Sequence, residues 1–237
     1  MKTKGINRDV IKYMTIVAMT FNHIAYILLT PGTMIHEVFE DIGYFTAITM
    51  CYFLVEGYHY TRSKKKYAKR LFIFALISQI PYYLAVKHFQ LNMMFTLLAC
   101  FLIVWVMEEV KEEAKRKRAI SGLIVFTLFC DWAVVAALFT ILLQRRRNDK
   151  KGILTAYGVS ASLFWILSLP AYLEQYSTGI AMLHAAFSVL GIALSCIMIL
   201  IFYNGKKSEK HTRFNRWFFY IYYPAHLLVL VAIKAFW

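Results

Sequence analysis

Charge is what this chain has least of. Only 17% of its 237 residues are Asp, Glu, Lys or Arg, against roughly 25% in a soluble domain. With 60% apolar residues and a mean hydropathy of +0.54, it lacks the polar surface a water-soluble fold needs. Acid is scarcer still: 13 Asp and Glu face 27 Lys and Arg, a net charge of +14. That excess does not mark a nucleic-acid binder, because the basic residues fall one cluster per pair of apolar runs, the positive-inside pattern of membrane proteins. The four cysteines (Cys51, Cys100, Cys130, Cys196) stand singly in or beside apolar runs, so they read as small buried hydrophobes and not as metal ligands. Walker, Rossmann, zinc and G-x-S-x-G signatures are missing, which leaves no encoded phosphate loop and no hydrolase elbow. No small-residue cleavage site follows the first apolar segment, so no cleavable signal peptide is expected.

What is present is a succession of apolar runs of about 17–25 residues, each long enough to cross a bilayer. The spans are expected near 10–29, 41–60, 71–86 (with Ser78, Gln79 and Pro81), 91–107, 153–169 (stopped by Pro170), 179–202 and 217–236. The loop 30–40 has no Lys or Arg, and EEVKEEAKRKR (108–118) reads as a solvated helical extension. Five basic clusters hold 25 of the 27 Lys and Arg; Lys87 and Lys234 lie outside them. If all five are cytoplasmic, an even number of crossings separates each pair. The apolar run 119–143, interrupted by Asp131, is one tilted helix or two short ones. The charge pattern favours a hairpin turning near Asp131–Trp132. The expectation is a single-domain (1–237), all-α, polytopic bundle of about nine membrane segments, with the N-terminus cytoplasmic and the C-terminus external.

Several polar side chains sit where lipid should be, and an ionisable residue inside a span is a functional-site candidate by default. On the first span Thr15, Met19, Asn22 and Tyr26 share a helical face with His23 at its edge. The second carries Thr46, Thr49, Tyr52, Glu56 and His59. Glu56 lies near the cytoplasmic end, where Arg62 or Arg70 could pair with it. Asn92, Thr96 and Asp131 are expected at the outer end, and His226 follows Pro224 by two residues on the last span. Threonine stripes are commonly helix-packing contacts, and Asp131 could simply be wet at a turn. His23 is too short to snorkel. Histidine suits general-base work near neutral pH. His36, His88 and His211 read as loop residues without a role.

The stretches VIKYMTIVAMTFNHIAYIL, IGYFTAITMCYFLVEGYHYTRSKKKYAKRLFIFALISQIPYYL, NMMFTLL, CDWAVVAALFTILL and FFYIYYPAHLLVL resemble the TraX family of membrane proteins. That family is named for the conjugation protein that N-acetylates F-type pilin. The chain is most similar to the Gram-positive members, which need not acetylate a pilin. TraX proteins are in turn similar to the integral-membrane acyltransferase-3 superfamily, which moves acyl groups from a cytoplasmic donor to an acceptor at or beyond the outer face.

The resemblance implies a multi-pass protein of the bacterial cytoplasmic membrane with acetyl-CoA as donor; the residues show no metal-ligand spacing, so no metal is expected. The resemblance also implies His23 as base, and Glu56, Arg62, Arg70, Ser78, Pro81, Asp131, Pro224 and His226 at motif positions. On this reading His226 or Asn22 orients His23 and Asp131 supplies the carboxylate. Arg62, Lys65 and Arg70 hold the donor's phosphates, and Glu56, Tyr52, Ser78, Asn92 and Thr96 line the cavity. The acceptor is a peptide amine, a glycan or a lipid. Three departures from the family pattern stand out: Asn22 where an Asp is common, Tyr44 where an Arg is common, and no proline near Ile48–Thr49. The alternative is a non-catalytic assembly or transport protein on the same scaffold. A path from the basic rim to His23 would favour acyl transfer, and a sealed interior the alternative.

Overall fold

Asn7 opens the first helix: its side chain accepts from the Val10 N–H at 3.0 Å, satisfying one of the donors a helix start leaves free. In the computed structural model, which describes residues 5–208 and 212–236, this helix α1 runs Arg8–Leu28. Lys2, Lys4, Lys210 and His211, with the side chains of Arg213 and Arg216, lie outside the described residues. The elements that follow are α2 (Met34–Tyr60), α3 (Lys64–Val86), α4 (Met93–Glu109), α5 (Glu113–Thr127), α6 (Val135–Arg146), α7 (Lys150–Leu173), α8 (Thr178–Ser188) and α9 (Leu190–Ile197). A π-helical turn (Met198–Phe202) and α10 (Thr212–Phe236) complete them. The chain is all-α; among the described residues the β pairing consists of two isolated bridges, Ile6 with Tyr203 and Leu91 with Cys130.

Several boundaries differ from expectation. Thr33 caps α2 through the His36 N–H, so the helix begins at Met34 rather than Asp41. The acidic loop 30–40 therefore shrinks, and Glu37 and Glu40 become helical. The stretch 108–118 is not one extension: α4 ends at Glu109 and α5 starts at Glu113. Its exposed charges pair within the new helix start, Lys115 with Glu112 and Lys117 with Glu113. Pro170 does not stop α7, which continues to Leu173. The run 119–143 is two helices, α5 and α6, separated by a turn at 128–134, and both pack on α4. The turn is anchored by Leu91 N–H to the Phe129 carbonyl and Asp131 N–H to the Leu91 carbonyl, each 2.8 Å. Trp132 there takes a left-handed φ of 56° and its ring stacks on Phe164 at 5.0 Å.

Among the described residues, five helical segments are long and apolar enough to cross a membrane: Arg8–Leu28, Met34–Tyr60, Lys150–Leu173, Thr178–Phe202 and Trp217–Phe236. The remaining helices are short or begin with charge: α3 opens on KKKYAKR, α4 has 17 residues and α6 has 12.

Two close approaches set the core. A Cβ on Gly43 would fall 2.2 Å from the Asn22 Cβ, and one on Gly191 would fall 2.6 Å from main-chain atoms of Asp41 and Phe45. Glycine at these positions lets α2 touch both α1 and α9. The parallel bridge of Ile6 with Tyr203 ties the start of α1 to the end of the π-helical turn. Polar pairs then join α1 to α10 in ascending order, Tyr13 to Asn215, Thr20 to Tyr222 and His23 to His226, so these two helices run parallel. All four cysteines are free and buried.

Candidate functional site, a histidine pair above a half-buried cationic cluster

His23 and His226 are both buried, and the structure brings them together. His226 Nε2 lies 2.9 Å from His23 Nδ1, and His226 Nδ1 lies 2.9 Å from the Tyr222 carbonyl. A carbonyl only accepts, so His226 carries its proton on Nδ1, and a neutral His226 presents a lone pair at Nε2. His23 must then donate from Nδ1, which leaves His23 Nε2 unprotonated. The two rings form a directed chain, His23 to His226 to the Tyr222 carbonyl, and at its head His23 Nε2 is left able to accept a proton. Aromatic rings enclose it: Tyr222 stacks on His226 at 5.1 Å and Tyr223 meets His23 edge-on at 6.2 Å.

The other expected residues are distributed around this pair. Asn22 does not bond to His23: its amide donates to the Glu40 carbonyl at 3.2 Å and fits the space left by Gly43. Asp131 lies in the α5–α6 turn, where its main-chain carbonyl accepts from the Thr96 hydroxyl. Asn92 caps α4 and donates to the Ala75 carbonyl and to Gln79 Oε1, each at 2.8 Å. Thr96 thus holds the turn, and Asn92 ties the start of α4 to α3. Ser78 is fully buried, and its hydroxyl has no hydrogen-bond partner.

Glu56 pairs with neither Arg62 nor Arg70, because the Ile6–Tyr203 bridge brings other partners to it. Its Oε1 accepts from Tyr203 OH at 2.7 Å, and its Oε2 is 4.0 Å from Arg8 Nη1. The Tyr52 ring stands edge-on to Tyr203 at 6.3 Å. Beside them Lys12 Nζ lies 5.3 Å from the centre of the Phe219 ring, and the Arg70 guanidinium lies 5.3 Å from that of Tyr67. The Nε atoms of Arg8 and Arg70 are buried without hydrogen-bond partners, as is Glu56 Oε2. Arg62 and Lys65 are exposed and stand apart from these contacts.

Sequence reasoning missed Arg8 and Lys12 as interior cations, treating them as topology markers. The signal was available: Lys12 precedes His23 by eleven residues, three helical turns, which puts both on one face about 16 Å apart. It also missed the Thr49–Ser195–Tyr157 hydroxyl chain joining α2, α9 and α7 at 2.7 and 3.0 Å, and His184, which faces Glu37 at 3.1 Å. His36, read as a loop residue, is buried in the first turn of α2. In the loop after α7, Tyr176 donates to Glu37, and that bond raises its phenol above the ordinary value.

Two surface grooves lie elsewhere on the protein. One, of about 510 Å³, is lined by Asn7, Asp9, Val10, Tyr13, Ser208, Phe214 and Asn215. The other lies along Val229, Ala232, Ile233 and Phe236. Neither is lined by His23 or His226.

The chain is 28% identical over 238 residues to the "Probable fimbrial assembly protein FimC, serogroup H1" of Dichelobacter nodosus, covering 95% of each chain. No solved structure matches. The TraX protein family model matches residues 7–234, nearly the whole sequence, and the chain is a membrane protein belonging to the TraX family.

Proposed function

We propose that this protein is a membrane acyltransferase that takes an acetyl or related acyl group from a coenzyme A thioester. The carrying observation is the directed chain from His23 through His226 to the Tyr222 carbonyl, with the half-buried Lys12 three turns below on the same helix. The basic clusters face the cytoplasm, as the positive-inside pattern demands. Arg8, Lys12 and Arg70, with Arg62 and Lys65 at the rim, attract the donor's phosphates. Lys12 and His23 are separated by a length comparable to an extended pantetheine arm. His23 Nε2 removes the proton from an acceptor hydroxyl or amine as that atom attacks the thioester carbonyl. The carbon–sulfur bond breaks, and the departing thiolate takes up a proton. His226 shares the positive charge that His23 acquires, the task a carboxylate performs in a Ser-His-Asp triad.

A second reading has its own support. The burial of the histidine pair, with the name of the fimbrial assembly relative, favours a non-catalytic assembly protein on the same scaffold. Labelled acetyl-CoA separates the two. Purified protein in lipid nanodiscs, with host membrane extract as acceptor source, is expected to label lipid, peptide or glycan. Absence of label, from protein shown to be folded, supports the assembly reading.

A further inference from the structure

The groove between the starts of α1 and α10 takes no part in the proposed chemistry, yet it lies beside the cations that attract the donor's phosphates. Its volume of about 510 Å³ is that of a small-molecule site. Asp9 lines it, and the Asp9 carboxylate is only half engaged. Oδ2 accepts from the Ser208 N–H at 3.0 Å. Oδ1 faces Arg8 Nε at 3.8 Å, beyond hydrogen-bond distance. Arg8 also reaches the other way, its Nη1 4.0 Å from Glu56 Oε2. One guanidinium therefore spans from the groove to the cationic cluster. The opposite wall is aromatic. Phe214, 60% exposed, lines the groove with Tyr13, and each ring lies 5.5 Å from that of Phe218. Asn7 and Asn215 add amides to the lining.

This lining selects its ligand. A carboxylate repels a phosphate, so the groove does not simply extend the phosphate site. It accepts from an amine instead, the exposed ring stacks on a planar heterocycle, and the guanidinium alongside takes an anion. An aminated purine joined to phosphate meets all three demands. Asp9 precedes His23 by fourteen residues, about 21 Å along the helix, a length left for the phosphates and pantetheine arm to span.

We propose that this groove binds the adenine of the coenzyme A donor. The exocyclic amine donates to Asp9 Oδ1, the Asn7 amide donates to the neighbouring ring nitrogen, and the base stacks on Phe214. Arg8 takes the first phosphate beyond the ribose. The positive-inside pattern places this end of α1 in the cytoplasm, where a soluble nucleotide reaches it. The site presupposes the coenzyme A donor of the acyl-transfer reading.

Calorimetric titration of the full chain in lipid nanodiscs with coenzyme A, etheno-coenzyme A, phosphopantetheine and ATP tests it. Coenzyme A should bind about tenfold tighter than the etheno derivative, whose bridged amine has no N–H to donate, the worth of roughly one charge-assisted hydrogen bond. Asp9→Asn keeps an oxygen for the Ser208 N–H and turns an N–H toward the amine, so it should erase that preference. Phe214→Ala removes an exposed ring. It should weaken coenzyme A about tenfold, leave phosphopantetheine unchanged, and decide the matter if Asp9→Asn fails to fold. Equal binding of coenzyme A and its etheno derivative by wild type, a preference that survives Asp9→Asn, or no effect of Phe214→Ala overturns the site while the acyl-transfer reading stands. ATP binding as tight as that of coenzyme A also overturns it, by assigning the groove to free nucleotides. Folded protein that binds no coenzyme A at all removes the donor reading and this site with it.

Discussion

His226 Nδ1 lies 2.9 Å from the Tyr222 carbonyl, one turn back on its own helix, and that contact determines which nitrogen of His23 is free. The proton order runs His23 Nδ1 to His226 Nε2, then His226 Nδ1 to the carbonyl. Nitrogen-15 spectra of histidine-labelled protein in lipid should show His23 protonated at Nδ1 and bare at Nε2 at neutral pH. In His226→Leu the fixed tautomer should give way to a mixture. A bare Nδ1 on His23 in the wild type would reverse the direction of the chain.

Donor binding should depend on interior cations more than on the exposed rim. A ligand that prefers the folded state raises the melting temperature, so acetyl-CoA is expected to stabilise the wild type. The shift should shrink with salt. Arg70→Ala and Lys12→Ala should reduce it strongly, and Lys65→Ala only slightly, because Arg70 and Lys12 sit against Tyr67 and Phe219 while Lys65 is exposed. Equal losses in all three variants would return the phosphate site to the surface.

Gly191→Ala should destabilise the bundle. Its new methyl would fall 2.6 Å from main-chain atoms of α2, which cannot move aside as a side chain can. Overpacking of this kind costs about 1–3 kcal/mol. Gly43→Ala should cost at least as much, because its methyl would fall 2.2 Å from the Asn22 Cβ, an atom fixed by its own backbone that no rotamer change moves aside. Melting temperatures in one detergent would rank them, and a Gly191→Ala protein as stable as wild type would contradict the tight α2–α9 contact.

Orientation can be checked in intact cells. Cysteines introduced at Lys65, Lys117, Arg146 and Lys207 should resist an impermeant thiol reagent, while those at Glu37 and Glu174 should react. Labelling at 146 but not at 65 would mean that α5 and α6 do not return the chain to the same side.

Much of the fold was readable because apolar length and basic spacing are coarse properties that survive without tertiary detail. The division of 119–143 followed from charge parity alone, and the structure divides it at 128–134. Helix starts were less legible. Thr33 and Asn7 act through single side-chain caps, which a hydropathy profile does not register, and Pro170 was given more stopping power than a proline near a final turn has. His23 and His226 could be singled out as ionisable groups in apolar runs, but their mutual contact depends on α1 and α10 running parallel in register. Glu56 was assigned to neighbours in sequence when the Ile6–Tyr203 bridge delivers Arg8 and Tyr203 from the two ends of the chain.

The central claim, that His23 is the base of an acyl transfer, is tested most directly by following label from acetyl-CoA to acceptor in wild type, His23→Ala and His226→Leu. A positioned general base contributes roughly 10²–10⁴-fold. His23→Ala should lower turnover by that factor while keeping the donor-induced thermal shift, and His226→Leu should lower it less, through loss of the fixed tautomer. Wild-type turnover in His23→Ala, from folded protein, would contradict the account.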